Sequence, residues 1–138
     1  MIDRALLAEK AAVLERHLAR VAMRLPEDPA ELRPMTDASD AVILHLWQAV
    51  QLVLDIAVHA CVRKGLGSPA TYAEAFWLLA TAGHLEPALA ERLARAAGFR
   101  NVVAHAYEKL DMTRVHHAAS AGPPDLRAFM VRIRDLAH

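Results

Sequence analysis

The sequence is poor in several residue types, and each scarcity excludes a class of protein. Of its 138 residues only one is cysteine and five are glycine, and aromatic residues make up 5%. The single Cys61 excludes an intrachain disulfide and a cysteine-based zinc site. The shortage of β-branched, aromatic and regularly spaced turn residues argues against an all-β sandwich and a Rossmann fold. Sixteen basic and sixteen acidic residues cancel, so no overall field draws in nucleic acid or an anionic membrane.

What the sequence does contain is helix-forming residues. Alanine occurs 29 times and leucine 19 times, and both have high helix propensity. We therefore predict an all-α fold, a compact and mostly antiparallel bundle of about five to six helices. The length fits one domain over residues 1–138. Charged residues interrupt the N-terminal segment every few positions, unlike a signal peptide, which favours a cytoplasmic protein.

Helical periodicity and capping residues divide the chain into segments. The first four predicted helices cover 2–24, about 38–64, 71–83 and the stretch from Pro87 onward. Asp37 or Ser39 is expected to cap the second helix, and Thr71 the third. A short helix is predicted over 111–117, a break over 121–124 at a proline pair, and a last helix over 126–136.

The second helix is long and mostly apolar, but it carries polar side chains at intervals of three or four residues. They fall within an arc of about 120°, which predicts a soluble helix with one polar stripe rather than a membrane span. A solvated edge is the simpler interpretation of this stripe, and a groove or dimer interface is the alternative. Trp47 and Trp77 are expected in the core. The stripe consists of His45, Gln48, Gln51, Asp55, His59 and Arg63.

The most informative segment is residues 98–107, GFRNVVAHAY. It contains Arg100, then Asn101, then His105 and Tyr107, in the pattern R-x4-H-x-Y. This string resembles the signature of HepT-like ribonuclease toxins of the HEPN superfamily. Upstream, the sequence GLGSPATYAEAF at 65–76 and the leucines and glycine of 78–83 are similar to the same family. The resemblance covers roughly residues 37–118.

The residue types in this motif suit RNA cleavage without a metal ion or cofactor. RNA carries its own nucleophile, the 2′-hydroxyl, so a proton acceptor and a phosphate ligand suffice. Histidine transfers protons near neutral pH, which makes His105 the candidate general base or acid. Arg100 is the candidate phosphate clamp, since guanidinium donors match phosphate oxygens. Asn101 would orient His105 or bind phosphate or ribose, and Tyr107 would contact RNA.

The resemblance also implies partners and an assembly. On one straight helix Arg100 and His105 would lie about 140° apart. Either the helix bends there, or two protomers share a site, and the resemblance implies a two-fold dimer with the cleft at its interface. It further implies a minimal nucleotidyltransferase antitoxin that silences the toxin by attaching AMP to Tyr107. The alternatives are a non-catalytic binding partner of a nucleotidyltransferase and a purely structural helical dimer.

Overall fold

The computed structural model describes residues 2–137, and helices form most of this range. The five α-helices are α1 (Arg4–Arg24), α2 (Asp37–Arg63), α3 (Tyr72–Thr81), α4 (Pro87–Ala106) and α5 (Met112–Leu136). Short 3₁₀ turns follow α1 and α4, at 29–31 and 107–109, and no strand occurs among the described residues. The prediction of an all-α bundle with five to six helices is confirmed.

Helix α2 is the centre of the bundle and contacts each of the other four helices. Its apolar side chains supply the largest share of one continuous core, which explains why most of its circumference is apolar. Among the described residues, α2 is also the one helix long and apolar enough to span a membrane by length and composition. Its fully buried members include Val42, Leu46, Ala49, Val53, Leu54, Ala57, Ala60 and Cys61.

The start of α2 differs from the prediction. The N-cap is Thr36 rather than Asp37 or Ser39: the Thr36 hydroxyl accepts a hydrogen bond from the Ser39 backbone N–H at 3.1 Å. In return the Ser39 hydroxyl accepts from the Thr36 N–H at 3.1 Å. This reciprocal pair satisfies two free helix donors, which is why Ser39 can be fully buried. Thr71 caps α3 as predicted, through the Glu74 N–H.

Helix α5 corrects a second prediction. The expected break at 121–124 is absent, and one helix runs through Pro123 and Pro124. A proline inside a helix costs about 3 kcal/mol because it lacks an N–H and crowds the preceding turn. Here apolar side chains on both sides of the pair enter the same core, and their burial outweighs the local preference. These side chains are Val115, Ala119, Leu126, Phe129, Met130 and Ile133.

Two histidines meet where α1 packs on α2. Nδ1 of His17 lies 3.0 Å from Nδ1 of His45, so one ring donates and the other accepts. Burial lowers the pKa of both rings, and the neighbouring charges of Arg16 and Arg20 lower that of His17 further. The contact requires at least one neutral ring, because two imidazolium ions have no acceptor between them.

This pair predicts loss of stability in mild acid. Because the folded-state pKa of each ring lies below its unfolded value near 6.5, the unfolded chain binds more protons in acid. The contribution of the neutral histidine pair to stability is fully present above the pKa of the unfolded chain. It is lost as the pH falls through the lower pKa of the folded protein. We expect the melting temperature to drop between about pH 7.5 and pH 5. His17→Gln should flatten this dependence, whereas His59→Ala, at an exposed position of α2, should leave it unchanged.

Candidate functional site

Helix α4 carries Arg100 toward α2 and α3, where neutral groups hold the guanidinium. Its Nε donates to Oε1 of Gln51 at 2.8 Å, and Nη1 donates to Oδ1 of Asn101 at 3.2 Å. The guanidinium carbon lies 6.0 Å from the ring centroid of Trp47 and 5.6 Å from that of Tyr72. Two amide oxygens and two aromatic faces therefore fix the position of this cation.

No carboxylate within residues 2–137 forms an ion pair with Arg100. The nearest acidic group in the network is Asp55, whose Oδ1 accepts a hydrogen bond from Nε2 of Gln51 at 2.9 Å. Asp55 is therefore linked to Arg100 only through Gln51. The same Nε2 donates to the Tyr72 hydroxyl at 3.2 Å. Arg100 thus keeps its positive charge available for an anion. Gln51, a member of the polar stripe of α2, takes part in this hydrogen-bond network and is not simply a solvated surface residue.

His105 lies on another side of α4. The helix continues without a break from Arg100 to Ala106, so a change in helical structure does not bring the two side chains together. His105 is exposed and forms no hydrogen bond with any residue that the structure describes. Arg100 and Asn101 are therefore in contact with each other, while His105 is separate from them within one chain.

Tyr107 follows the end of α4, and its side chain contacts α2, as the side chain of Arg100 does. The backbone leaves the helix at Ala106, with φ −145° and ψ 40°, and a 3₁₀ turn begins. The Tyr107 hydroxyl donates to Oδ1 of Asp40 at 2.6 Å. This hydrogen bond to Asp40, with partial burial and the carboxylate charge, raises the pKa of Tyr107 to about 12. The ring remains 39% exposed, so its edge can be reached from solvent.

A cleft of about 430 Å³ lies beside Tyr107, between α2 and α4. Trp47 lines this cleft and also faces Arg100, so one indole connects the two parts of the motif. Its Nε1 is buried without a hydrogen-bond partner among the described residues. The prediction that both tryptophans are core residues is wrong: Trp47 is half-buried at the cleft, and Trp77 is 44% exposed because Phe76 and Leu79 occupy the buried face of α3.

The side chains that could bind a metal ion are dispersed over residues 2–137. No cluster of three or more histidine, cysteine, aspartate or glutamate side chains lies close enough there to hold an ion. Cys61 is buried and its Sγ donates to the Ala75 carbonyl at 3.3 Å. Burial raises the pKa of this thiol, so it behaves as a small core side chain.

The candidate site lies within the part of the chain that matches a known protein family. The family model described as Ribonuclease HepT-like matches residues 14–133, which include every side chain discussed above. The chain belongs to the HepT-like family. The predicted resemblance is confirmed at the level of the family.

Individual HepT-like relatives match over nearly their full length. The mRNA nuclease HepT of Shewanella oneidensis is 26% identical over 125 residues, which are 91% of this chain and 93% of that protein. A structure of a tri-AMPylated HEPN toxin from the same organism, in complex with its MNT antitoxin, superposes with a TM-score of 0.84 at 27% identity, covering 98% and 99% of the chains. A toxin–antitoxin structure with AMP-PNP gives 0.85 at 25% identity, covering 95% and 98%.

Three side chains that hold these candidate site residues lie outside the R-x4-H-x-Y pattern. Asp40 and Trp47 belong to no recognisable motif, whereas Tyr72 lies in the upstream segment 65–76 that resembles the family. The contacts of all three come from packing between helices. A signal existed in α2: Asp40, Trp47 and Gln51 are separated by seven and four residues, which places them on one helical face. Extending the polar stripe toward the start of α2 would have included Asp40.

Proposed function

We propose that this HepT-like protein is a metal-independent endoribonuclease, the toxin of a toxin–antitoxin pair acting in the cytoplasm. The observation that carries the proposal is the state of Arg100. An arginine fixed by amides and aromatic rings, with no carboxylate partner among the described residues, is prepared to bind an anion. The relatives support the choice of RNA, because one is named an mRNA nuclease.

In the proposed reaction His105 removes the proton of the RNA 2′-hydroxyl. The 2′-oxygen attacks the adjacent phosphorus, the bond from phosphorus to the 5′-oxygen breaks, and the departing oxygen takes a proton from the solvent or the protonated base. Arg100 stabilises the negative charge that accumulates on the phosphate oxygens. Asn101, bonded to Arg100, orients the guanidinium or contacts the ribose. The products are a 2′,3′-cyclic phosphate and a free 5′-hydroxyl.

The separation of His105 from Arg100 within one chain supports a shared site. In a two-fold dimer, the exposed His105 of one protomer can face the Arg100 of its partner. The apolar rim beside Tyr107, with Leu44 52% exposed, is a surface that such a dimer could cover. We therefore propose a homodimer, or a larger even-numbered assembly, as the active form.

We further propose that a minimal nucleotidyltransferase antitoxin silences this chain by attaching AMP to Tyr107. Tyr107 and Arg100 are seven residues apart and both face α2, with Trp47 between them. Along a helix this spacing is about 10 Å, so an AMP group on Tyr107 can reach the guanidinium. The bulk and negative charge of the AMP group beside Arg100 would then block the substrate phosphate and repel RNA.

The direct test uses the purified chain with single-stranded RNA in excess EDTA. We expect cleavage to proceed and the fragments to end in a 2′,3′-cyclic phosphate, because the nucleophile belongs to the RNA. Mass spectrometry of the fragments identifies the ends. Fragments with a 5′-phosphate, or activity that EDTA abolishes, would contradict the mechanism. A chain that cleaves nothing yet co-purifies with a nucleotidyltransferase would instead be a non-catalytic binding partner.

A further inference from the structure

A second groove lies on the opposite side of the motif, between α4 and α5. Its volume is about 870 Å³, and it opens between the second half of α4, the turn after it and the first turns of α5. Apolar side chains form its floor and basic side chains its rim. The floor includes the buried or half-buried Phe99, Leu110, Val115 and Ala118, and the exposed rim carries Val102 and the basic residues Arg95, Lys109, Arg114 and His117.

The positive charge of this groove is largely uncompensated. Its one acidic residue, Asp111, accepts a hydrogen bond from the Thr113 N–H at 2.8 Å and so caps α5. Lys109 and Arg114 form no ion pair with any residue in the range 2–137. Arg95 has only an exposed contact of 3.4 Å with a glutamate one turn away. In a chain with no net charge, this is a concentration of cations at one place.

A groove between α1 and α5 also contains arginines, and there one of the three, Arg127, is fully paired. Arg127 forms two hydrogen bonds with the Glu15 carboxylate, at 2.8 and 3.1 Å. Such bidentate pairing occupies the donors that would otherwise contact a phosphate. Arg4 of that groove, like Lys109 and Arg114, forms no ion pair among residues 2–137. The α4–α5 groove differs in position, because its two free cations lie just beyond the end of α4, close along the chain to His105.

His105 belongs to the same side of α4 as this groove. Gly98 and Val102 line the groove, and His105 follows them by seven and three residues. Seven residues correspond to two turns, so His105 and Gly98 lie within about 20° of each other around the helix axis. An RNA strand lying in the groove would thus extend toward His105.

We propose that the α4–α5 groove binds the sugar–phosphate backbone of single-stranded RNA and directs the strand to His105. This inference rests on the proposed nuclease function and extends it. Lys109 and Arg114 contact phosphates, and the apolar floor around Phe99 accepts a ribose or base. Neither cation lies within the R-x4-H-x-Y motif.

The test measures binding of fluorescein-labelled single-stranded RNA by anisotropy, in a His105→Ala background that prevents cleavage. The double substitution Lys109→Glu and Arg114→Glu should weaken binding on the order of tenfold or more at moderate salt. It should also lower the slope of log affinity against log salt by about 1.4, for two lost phosphate contacts. The matched control is Arg4→Glu with Lys10→Glu, which changes the net charge equally on α1 and should weaken binding much less.

Circular dichroism checks that the variants fold, and Lys109→Ala with Arg114→Ala provides a milder pair. Equal weakening by the groove and control pairs, or no weakening by either groove pair, would overturn the proposal. So would a groove variant that binds RNA normally but loses a co-expressed antitoxin, because the groove would then be a protein-docking surface. If the wild-type chain binds RNA through the groove but cleaves none, the proposal that the groove binds RNA is supported and the proposed nuclease function is refuted.

Discussion

Mixing two inactive variants should restore RNA cleavage. Arg100→Ala and His105→Ala are each expected to lower the cleavage rate by about 100- to 10,000-fold, since one removes the phosphate ligand and the other the proton acceptor. If each site takes Arg100 from one protomer and His105 from its partner, a mixed dimer contains one intact site. After random subunit exchange, about a quarter of the wild-type activity should return. Co-expression from two tagged genes, followed by a cleavage assay, measures this.

The appropriate control mixes Arg100→Ala with the double variant that lacks both side chains. This mixture contains no intact Arg100 and should stay inactive in any arrangement. Two inactive variants that fail to restore activity together would show that both side chains act from the same protomer. Single variants that retain full activity would show that the site is assigned to the wrong residues.

Replacing Tyr107 by phenylalanine should abolish AMP attachment completely. Co-expression of the wild-type chain with its nucleotidyltransferase should add the mass of one or more AMP groups. The Asp40 contact raises the pKa of Tyr107 to about 12, so the hydroxyl is protonated at neutral pH and the modifying enzyme must help remove its proton. Intact-mass spectrometry of the co-expressed protein measures the adduct. The phenylalanine variant should keep some nuclease activity, because the phenol is not the proton-transfer group.

The chain contains two tyrosines, and the other one supplies the control. Tyr72→Phe removes a half-buried hydroxyl that contacts Gln51, and the adduct should still form. An adduct that persists on Tyr107→Phe would place the modification elsewhere. Neutralised toxicity without any adduct on the wild type would mean that the antitoxin acts by binding alone.

Much of the fold follows from composition and periodicity, and two of the errors, the break in α5 and the burial of Trp77, have a common cause. The bounds of the first four helices agree with prediction to within about two residues because apolar stripes are local signals, although the cap of α2 is Thr36 and not Asp37 or Ser39. The continuity of α5 through Pro123 and Pro124 depends on a core that side chains from other helices complete. Trp77 is exposed for the same reason, since its neighbours on α3 already fill the core. The helix and burial preferences of a short segment do not show which side of its helix will be covered by the rest of the chain.

The candidate site residues could be named from the sequence, but the contacts that hold them could not. Arg100 and Tyr107 are visible in the sequence as parts of a spaced pattern. Their partners, Gln51 and Asp40, lie 49 and 67 residues away along the chain. No spacing rule relates residues so distant, because the contact depends on how α4 packs against α2. The 140° separation of Arg100 and His105, by contrast, is a property of any α-helix and could be foreseen.

The hydrogen bond between Tyr107 and Asp40 also holds the turn after α4 against α2. It joins the turn after α4 to the first turn of α2 through a single hydroxyl hydrogen. Esterification of that oxygen would remove the hydrogen, so the hydrogen bond would be lost. It would also place a negatively charged phosphate beside the Asp40 carboxylate, and the two charges would repel each other. Lys109 belongs to the same three-residue turn. An AMP group on one side of α4 would therefore loosen the backbone that positions a cation on the other side, and one modification would affect both faces of the helix.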